Sequence, residues 1–318
     1  MSKFLITGIA GFIGSALARG ALAQGHEVCG IDNLSTGKLE NLAEIIADVD
    51  FHEVDLLDLD AVRKVCRGVD FVLHEAAIPS VPKSVLDPIG SNCANVDATV
   101  NLLVLARDAK VQRVIYAASS SAYGNTPTLP KREDMIPDPI SPYAVAKLAG
   151  EHYMRSFYRC YGLETVNLRY FNIFGPRQDP TSPYSGVMAK FITQMLRGES
   201  PTIFGDGRQS RDFTYVENAV QANLLACAAP AEKVVGQTFN VATAWRTDLN
   251  AMFGVLQELT GSRAPVIYAP ERAGDVKHSL ADLTRIKAAV GYEPQVGFEE
   301  GLRLTVDWYR TTMAVAAR

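Results

Sequence analysis

Short apolar runs alternate with helix-period stretches along the first half of the chain. Lys3–Thr7 reads as a strand and residues 12–24 as a helix. Glu27–Asp32 is a second strand, residues 51–54 a third and residues 70–74 a fourth. A helix over 91–109 leads into a strand at 113–118. A second long helix holds the stretch SPYAVAKLAGEH (141–152), and a strand follows at 165–170. Strands buried on both faces and separated by helices predict an α/β domain, a doubly wound parallel sheet. After residue 172 the rhythm weakens and Pro and Gly accumulate in FGPRQDPTSPYSG. Residues 173–210 and 245–318 therefore read as a smaller C-terminal α/β lobe attached to a domain formed by 1–172. Residues 211–244 return to the larger domain, with 238–242 as a further strand of the main sheet.

Length agrees with that division. The chain has 318 residues, more than one core comfortably serves. Its net charge of −4 gives no basic field for nucleic acid or anionic lipid, so an anionic ligand must meet a local group of arginines. No apolar run reaches the length that spans a bilayer. The first residues pair a lysine with an apolar run and an A-x-A ending, as secretory signals do, but purposeful glycine spacing argues against cleavage. The five cysteines are scattered without a C-x-x-C. They read as reduced, buried thiols of a cytoplasmic protein. The five histidines are equally dispersed, so no metal site is expected.

Two features carry chemistry. In LITGIAGFIG, Gly8, Gly11 and Gly14 lie between a strand and a helix. Glycine lets the backbone turn sharply against a pyrophosphate, and the helix start offers free N–H groups. Asp32 ends the next strand, where a carboxylate holds the hydroxyls of an adenosine ribose and repels a 2′-phosphate. This favours NAD over NADP. Asp55 follows the third strand, either facing the adenine amino group or capping a helix. The second feature is Tyr143 with Lys147. Residues at i and i+4 share a helix face, roughly 5–6 Å apart at Cβ. Alone they could be a surface pair without a role.

Together the glycine turn, SSSAYG and Y-x-x-x-K, in this order, resemble the extended short-chain dehydrogenase/reductases. Within them the chain most resembles the UDP-hexose 4-epimerases, especially the branch handling N-acetylated sugars. The resemblance implies a Rossmann fold, bound NAD and a homodimer paired through helices near 91–109 and 143–161. It implies that Tyr143 exchanges a proton with the sugar 4-hydroxyl while C4 is transiently oxidised and then reduced from its other face. Lys147 and the nicotinamide would favour the phenolate, whose ordinary pKa is about 10, and Ser119 would bond the reacting oxygen. Ser120 and Ser121 stand where dehydratases of similar sequence carry Asp-Glu, so elimination lacks its acids.

The same likeness assigns further contacts. Around the cofactor these are Phe12 and Ile13 in the turn, then Asn33, Ser35, Thr36 and Gly37 after Asp32. Leu56 beside Asp55, Ala76, Ala77, Asn95, Ala117 and Tyr170 complete them. Arg211 and Arg272 would clamp the diphosphate, with Asn172 as a further contact and Asp275 at the uridine ribose. Gly186, Val187, Thr202 and Ile203 would frame the uracil, with Phe191 and Phe204 as walls. Ser80 and the three serines 119–121 would approach the sugar. Ser279 is small where a tyrosine would restrict the pocket to plain hexoses. UDP-GlcNAc with UDP-GalNAc, UDP-glucose with UDP-galactose, or both, are the expected pairs. UDP-glucuronate is an alternative, with the serines and Lys83 available to its carboxylate. Pro79 departs from the lysine often found there in hexose-type epimerases. A non-catalytic NAD sensor of the same fold is disfavoured because Ser119, Tyr143 and Lys147 are all kept.

Overall fold

The computed structural model describes residues 1–180, 187–271 and 277–316. Its main sheet has seven strands: β1 (Lys3–Thr7), β2 (Glu27–Asp32), β3 (Val49–Glu53), β4 (Phe71–His74), β5 (Arg113–Ser119), β6 (Glu164–Tyr170) and β7 (Gln237–Val241). They lie in the order β7-β6-β5-β4-β1-β2-β3, and every pairing is parallel. Both faces are covered. Phe4 and Ile6 of β1 face a core shared with helices α1 (Phe12–Ala23) and, from its later part, Val216–Ala228. Leu5, between them, faces the opposite core under α2 (Ala98–Asp108) and α3 (Pro142–Tyr161). With α4 denoting Val216–Ala228, helices thus cover each face, Leu59–Val65 joining α2 and α3 on the second. The doubly wound sheet matches the sequence reading, and its strand order reverses between β1 and β4. In open α/β sheets such a reversal is where a ligand crevice forms, outside the carboxyl ends of the strands.

The local differences have physical causes. The third strand starts at Val49, two residues before the expected run, because its edge position leaves Asp50 and His52 partly exposed and breaks the apolar pattern. The helix expected over 91–109 is three pieces. Pro88–Asn92 and α2 are joined by a π-helical turn, Cys93–Asp97, which carries the buried Asn95. Such turns commonly serve functional sites. Cysteine burial is also uneven: Cys29, Cys66 and Cys227 are buried, but Cys93 is half-buried and Cys160 is exposed.

Beyond the main sheet, short pairings build the second lobe. Ile267–Ala269 runs parallel to Thr202–Phe204, and Arg246–Asp248 runs antiparallel to Ser210–Asp212. A third core gathers Met188, Phe191, Ile192, Leu256, Leu302 and Val306. Asp212 ties this lobe to the main body, since Thr243 follows β7 and Ala281 packs in the core under α1. Its buried carboxylate accepts from Thr243 N and Oγ1 (3.0 and 2.8 Å) and from Ala281 N (3.1 Å). Among the described residues no helix is long and apolar enough to cross a membrane.

The helix bearing the Tyr–Lys pair is anchored at both ends and beneath. Ser141 caps its start by accepting from Ala144 N, Pro142 occupies its first turn, and Gly162 ends it at φ 73°. Beneath, Glu151 takes both nitrogens of the Arg169 fork at 2.8 and 2.7 Å, and both side chains are almost wholly buried. Removing one partner of such a pair leaves an uncompensated buried charge. Glu151→Ala should lower stability by about 3–5 kcal/mol. Joint replacement by Leu at 151 and Met at 169 should recover most of that. Urea midpoints of the three proteins check it, and a Glu151→Ala protein as stable as the parent would refute it.

Candidate active site

The glycine turn is shaped by close backbone approach. Gly8 has φ 68°, and a Cβ there would lie 2.9 Å from the Ala76 backbone. A Cβ on Gly14 would lie 2.1 Å from the Gly8 carbonyl oxygen. The start of α1 has Gly11 at its cap position with no side-chain cap and no acidic residue in its first turn. A helix start with uncapped N–H groups suits a diphosphate. Phe12 and Ile13 lie in that first turn.

Asp32 sits at the end of β2 and is 7% exposed. Its carboxylate accepts Ala10 N (3.0 Å) and Leu34 N (2.8 Å), while burial raises its pKa. Only a residue without Cβ fits at Gly37, where that atom would come within 2.7 Å of both Asp32 oxygens. Ser35 and Thr36 lie in the same loop, and Ser35 Oγ donates to Asn33 Oδ1 (2.7 Å). Asp55 accepts from Asn33 Nδ2 (2.7 Å) and Leu57 N (2.8 Å). The helix cap is Asp58, which accepts Ala61 N, so the capping alternative for Asp55 is corrected. Leu56, next to it, is buried.

A chain of hydrogen bonds unforeseen in the sequence fixes the loop after β4. Ala76 N donates to Thr7 Oγ1 (3.1 Å), Thr7 Oγ1 lies 2.8 Å from His74 Nδ1, and His74 Nε2 lies 2.9 Å from Thr99 Oγ1. Thr99 Oγ1 donates to Asn95 O (2.7 Å). The only proton of Thr99 is thus spent, so His74 must donate from Nε2 and accept at Nδ1. Burial pushes its pKa down to about 3, which keeps the ring neutral. Asn95 is likewise committed to this loop: Ile78 N donates to its Oδ1 (2.9 Å), and its Nδ2 reaches Ser91 Oγ (3.3 Å). Its effect on a cofactor passes through residues 76–78, including Ala76 and Ala77, rather than through its amide.

Ser119, Tyr143 and Lys147 come together at the carboxyl ends of β4, β5 and β6. Ser119 Oγ accepts from Ser121 Oγ (2.8 Å) and Ser121 N (3.2 Å). Its own proton is then free to turn towards Tyr143, whose pKa the Ser119 hydroxyl lowers against burial. Ser120 follows in the same short turn, and Ala117 lies one turn of pleat earlier, buried. Tyr143 N donates to Ser84 Oγ (3.0 Å). The expected lowering of the Tyr143 pKa by Lys147 is not met by the chain alone. Burial raises it to about 12, opposed by the Ser119 hydrogen bond. Lys147 instead lies over the Tyr116 ring, 4.7 Å from its centroid, and burial lowers its pKa to about 8. Glu75, which the sequence reading did not single out, is also here. Tyr170 donates to its Oε1 at 2.7 Å.

In the second lobe a cleft of about 270 Å³ is lined by Asn172, Val187, Thr202, Phe204 and Arg211, among others. Phe191 and Ile203 are not on it. They are 3% and 1% exposed in the lobe core, which corrects the expectation of two phenylalanine walls: helix period points Phe191 inward. Asn172 has φ 37° and donates from Nδ2 to Ser279 Oγ (3.2 Å) and Asp212 O (3.1 Å). Ser80 caps the helix Val81–Leu86 by accepting Lys83 N. Gly186, Arg272 and Asp275 lie outside the described residues. Away from both clefts, strand register brings ligand atoms of Cys29, Asp50 and His52 within 4.8 Å of one another, a proximity their sequence spacing hides. The Cys29 thiol is buried and raised to about 12, and His52 pairs with Asp50 at 3.1 Å.

The profile of the NAD dependent epimerase/dehydratase family matches residues 4–242. The UDP-glucose 4-epimerase of Mycolicibacterium smegmatis is 39% identical over 97% of this chain and 98% of its own length. The crystal structure of a Thermotoga maritima UDP-glucose 4-epimerase with UDP-glucose superposes with a TM-score of 0.93 at 39% identity, over 98% of this chain and 99% of that one. A UDP-N-acetylglucosamine 4-epimerase from Methanobrevibacter ruminantium, in complex with UDP-N-acetylmuramic acid, gives 0.92 at 42% identity with the same coverage.

The bonding around His74 generates a spectroscopic expectation. In ¹⁵N-resolved NMR its ring should remain the Nε2–H tautomer from pH 8 down to pH 5, consistent with a pKa near 3. A ring that protonates within that range would overturn the assigned chain.

Proposed function

We propose that this chain, which belongs to the NAD dependent epimerase/dehydratase family, interconverts UDP-GlcNAc with UDP-GalNAc and also UDP-glucose with UDP-galactose. It is an NAD-dependent UDP-sugar 4-epimerase; the choice of sugars is our reading. The observation that carries it is the pocket of Ser119, Tyr143 and Lys147 in which positions 120 and 121 offer hydroxyls and no acid.

In this reading the glycine turn and the start of α1 hold the cofactor's diphosphate, and Asp32 holds its adenosine ribose. NAD, when bound, supplies a reversible two-electron acceptor and a positive charge at the pocket. Tyr143 takes the 4-hydroxyl proton and later returns it. Ser119, with its single proton aimed at Tyr143, stabilises oxygen charge on either partner. Lys147 holds a cation in the same dry space. The second-lobe cleft takes the nucleotide, with Arg211 towards the diphosphate and Phe204 against the base. Ser279 sits beside Asn172 and leaves room for a C2 substituent. Pairing of two copies through α3 and the helical segment 91–109 belongs to the same reading. Val145 and Tyr153 of α3 expose apolar surface.

Purified protein should convert UDP-GlcNAc and UDP-glucose to their 4-epimers, followed by proton NMR. Inertness towards both would defeat the proposal, and turnover of UDP-glucuronate alone would replace it with the uronate reading. Tyr143→Phe should cut kcat by about 10²–10⁴-fold with the fold retained. Ser279→Tyr should impair the N-acetyl substrate more than the plain hexose. Equal losses would show that the side chain at 279 does not gate sugar size.

A further inference from the structure

Glu75 is the residue that the mechanism above leaves unused. It follows His74 directly, at the crevice between β1 and β4, so its backbone is fixed by the Ala76–Thr7–His74 chain. Its side chain is fixed as well. Asn223, buried in α4, donates from Nδ2 to the Tyr170 hydroxyl at 2.6 Å. Tyr170, at the end of β6, donates onward to Glu75 Oε1 at 2.7 Å. Three elements far apart in sequence therefore converge to hold one carboxylate.

The charged and titratable neighbours show what the carboxylate faces. From α3 come Tyr143, Lys147 and Glu151. Glu151 is already matched, with both oxygens on the Arg169 fork. From β5, Tyr116 offers the Lys147 ammonium its ring face and donates its hydroxyl to the Lys147 carbonyl oxygen at 3.5 Å. From β4, His74 is neutral and hydrogen-bonded at both nitrogens. From β6 and α4 come Tyr170 and Cys227, both raised by burial. Lys147 is 4% exposed, so water contributes little to its charge. Glu75 is the carboxylate in this group that is held by a neutral donor and not by a cation.

We propose that Glu75, held by Tyr170 and Asn223, is a positioning residue that supplies the counter-charge keeping Lys147 protonated in the dry pocket. The inference rests on the reading of Tyr143 and Lys147 as the proton-handling pair. The directions of titration agree. Burial pushes Lys147 down to about 8, and the negative charge of Glu75 opposes that. Burial in turn raises Glu75 to about 7, and the Tyr170 hydrogen bond and Lys147 oppose it. The sign follows. Glu75→Gln keeps an oxygen for Tyr170 but removes the charge, so Lys147 must lose its proton at lower pH. A nearby opposite charge moves a pKa by about 1–3 units.

The test reads Lys147 directly. Holoenzyme carrying ¹³Cε-lysine is titrated, with the Lys147 resonance identified by its absence from Lys147→Arg. Glu75→Gln should shift the Lys147 titration down by about 1–3 units. The alkaline limb of kcat should move to lower pH by the same amount, with KM for the UDP-sugar nearly unchanged. Tyr170→Phe, which frees the carboxylate without removing it, should give a smaller shift in the same direction and serves if Glu75→Gln fails to fold. An unmoved Lys147 resonance in whichever of these variants folds overturns the proposal. Failure of the parent protein to epimerise any sugar would overturn the functional reading while leaving the Lys147 titration to decide this one.

Discussion

Desolvation at the carboxyl ends of β4, β5 and β6 governs the rest of this molecule. Four titratable groups cluster there, His74 and Lys147 buried and Glu75 and Tyr143 half-buried, and burial drives each towards its neutral form. A proton-transfer site needs the reverse for two of them, a phenolate and an ammonium. Each unit of pKa is worth about 1.4 kcal/mol, so restoring the charged forms demands several specific interactions. The surrounding structure supplies them unequally. Ser119 gives Tyr143 a hydrogen bond, while Lys147 faces Glu75 and the Tyr116 ring. The chain alone therefore leaves Tyr143 a phenol at neutral pH. On the proposed reading, the positive charge of a nicotinamide dinucleotide held by the glycine turn and Asp32 would be the missing contribution.

The fold keeps this dry region from accumulating unmatched charge. His74 is made neutral by a directional chain that uses both its nitrogens. Glu151 is neutralised by a bidentate partner on the adjacent strand. These two choices matter to the site because either group, if left charged and unpaired, would bias Lys147 by an amount comparable to the effect of Glu75. The parallel sheet makes the arrangement possible. Its strands end together, so residues separated by up to about a hundred positions, such as Glu75 and Tyr170, meet at one crevice.

That geometry also explains what the sequence could and could not disclose. Strand–helix alternation was legible because a sheet buried on both faces requires unbroken apolar runs, and β1, β2 and the returning β7 lie where those runs lie. The glycine spacing and the Tyr–Lys pair were legible because their chemistry depends on local separation. Glu75 and His74 were not, since an acid and an imidazole beside a strand end look like any surface polar pair until distant partners enclose them. Asp212 hid for the same reason: its partners are Thr243 and Ala281. Phe191 misled because an aromatic residue near a motif has no sign telling core from cleft. Only the helix face it occupies decides, and that face belongs to the lobe core.

Ser279 joins the two lobes' problems into one. Its hydroxyl accepts from Asn172 Nδ2 at 3.2 Å and from Asp212 N at 3.3 Å. Asn172 lies two residues past the end of β6, in a left-handed conformation that L-residues other than Asn and Asp seldom adopt. Thus the small side chain at position 279 holds the joint where the main sheet hands over to the second lobe. A larger residue there would fill the space and remove the acceptor together. On the proposed reading of Ser279, sugar size and the placement of Asn172 would be coupled through one hydroxyl.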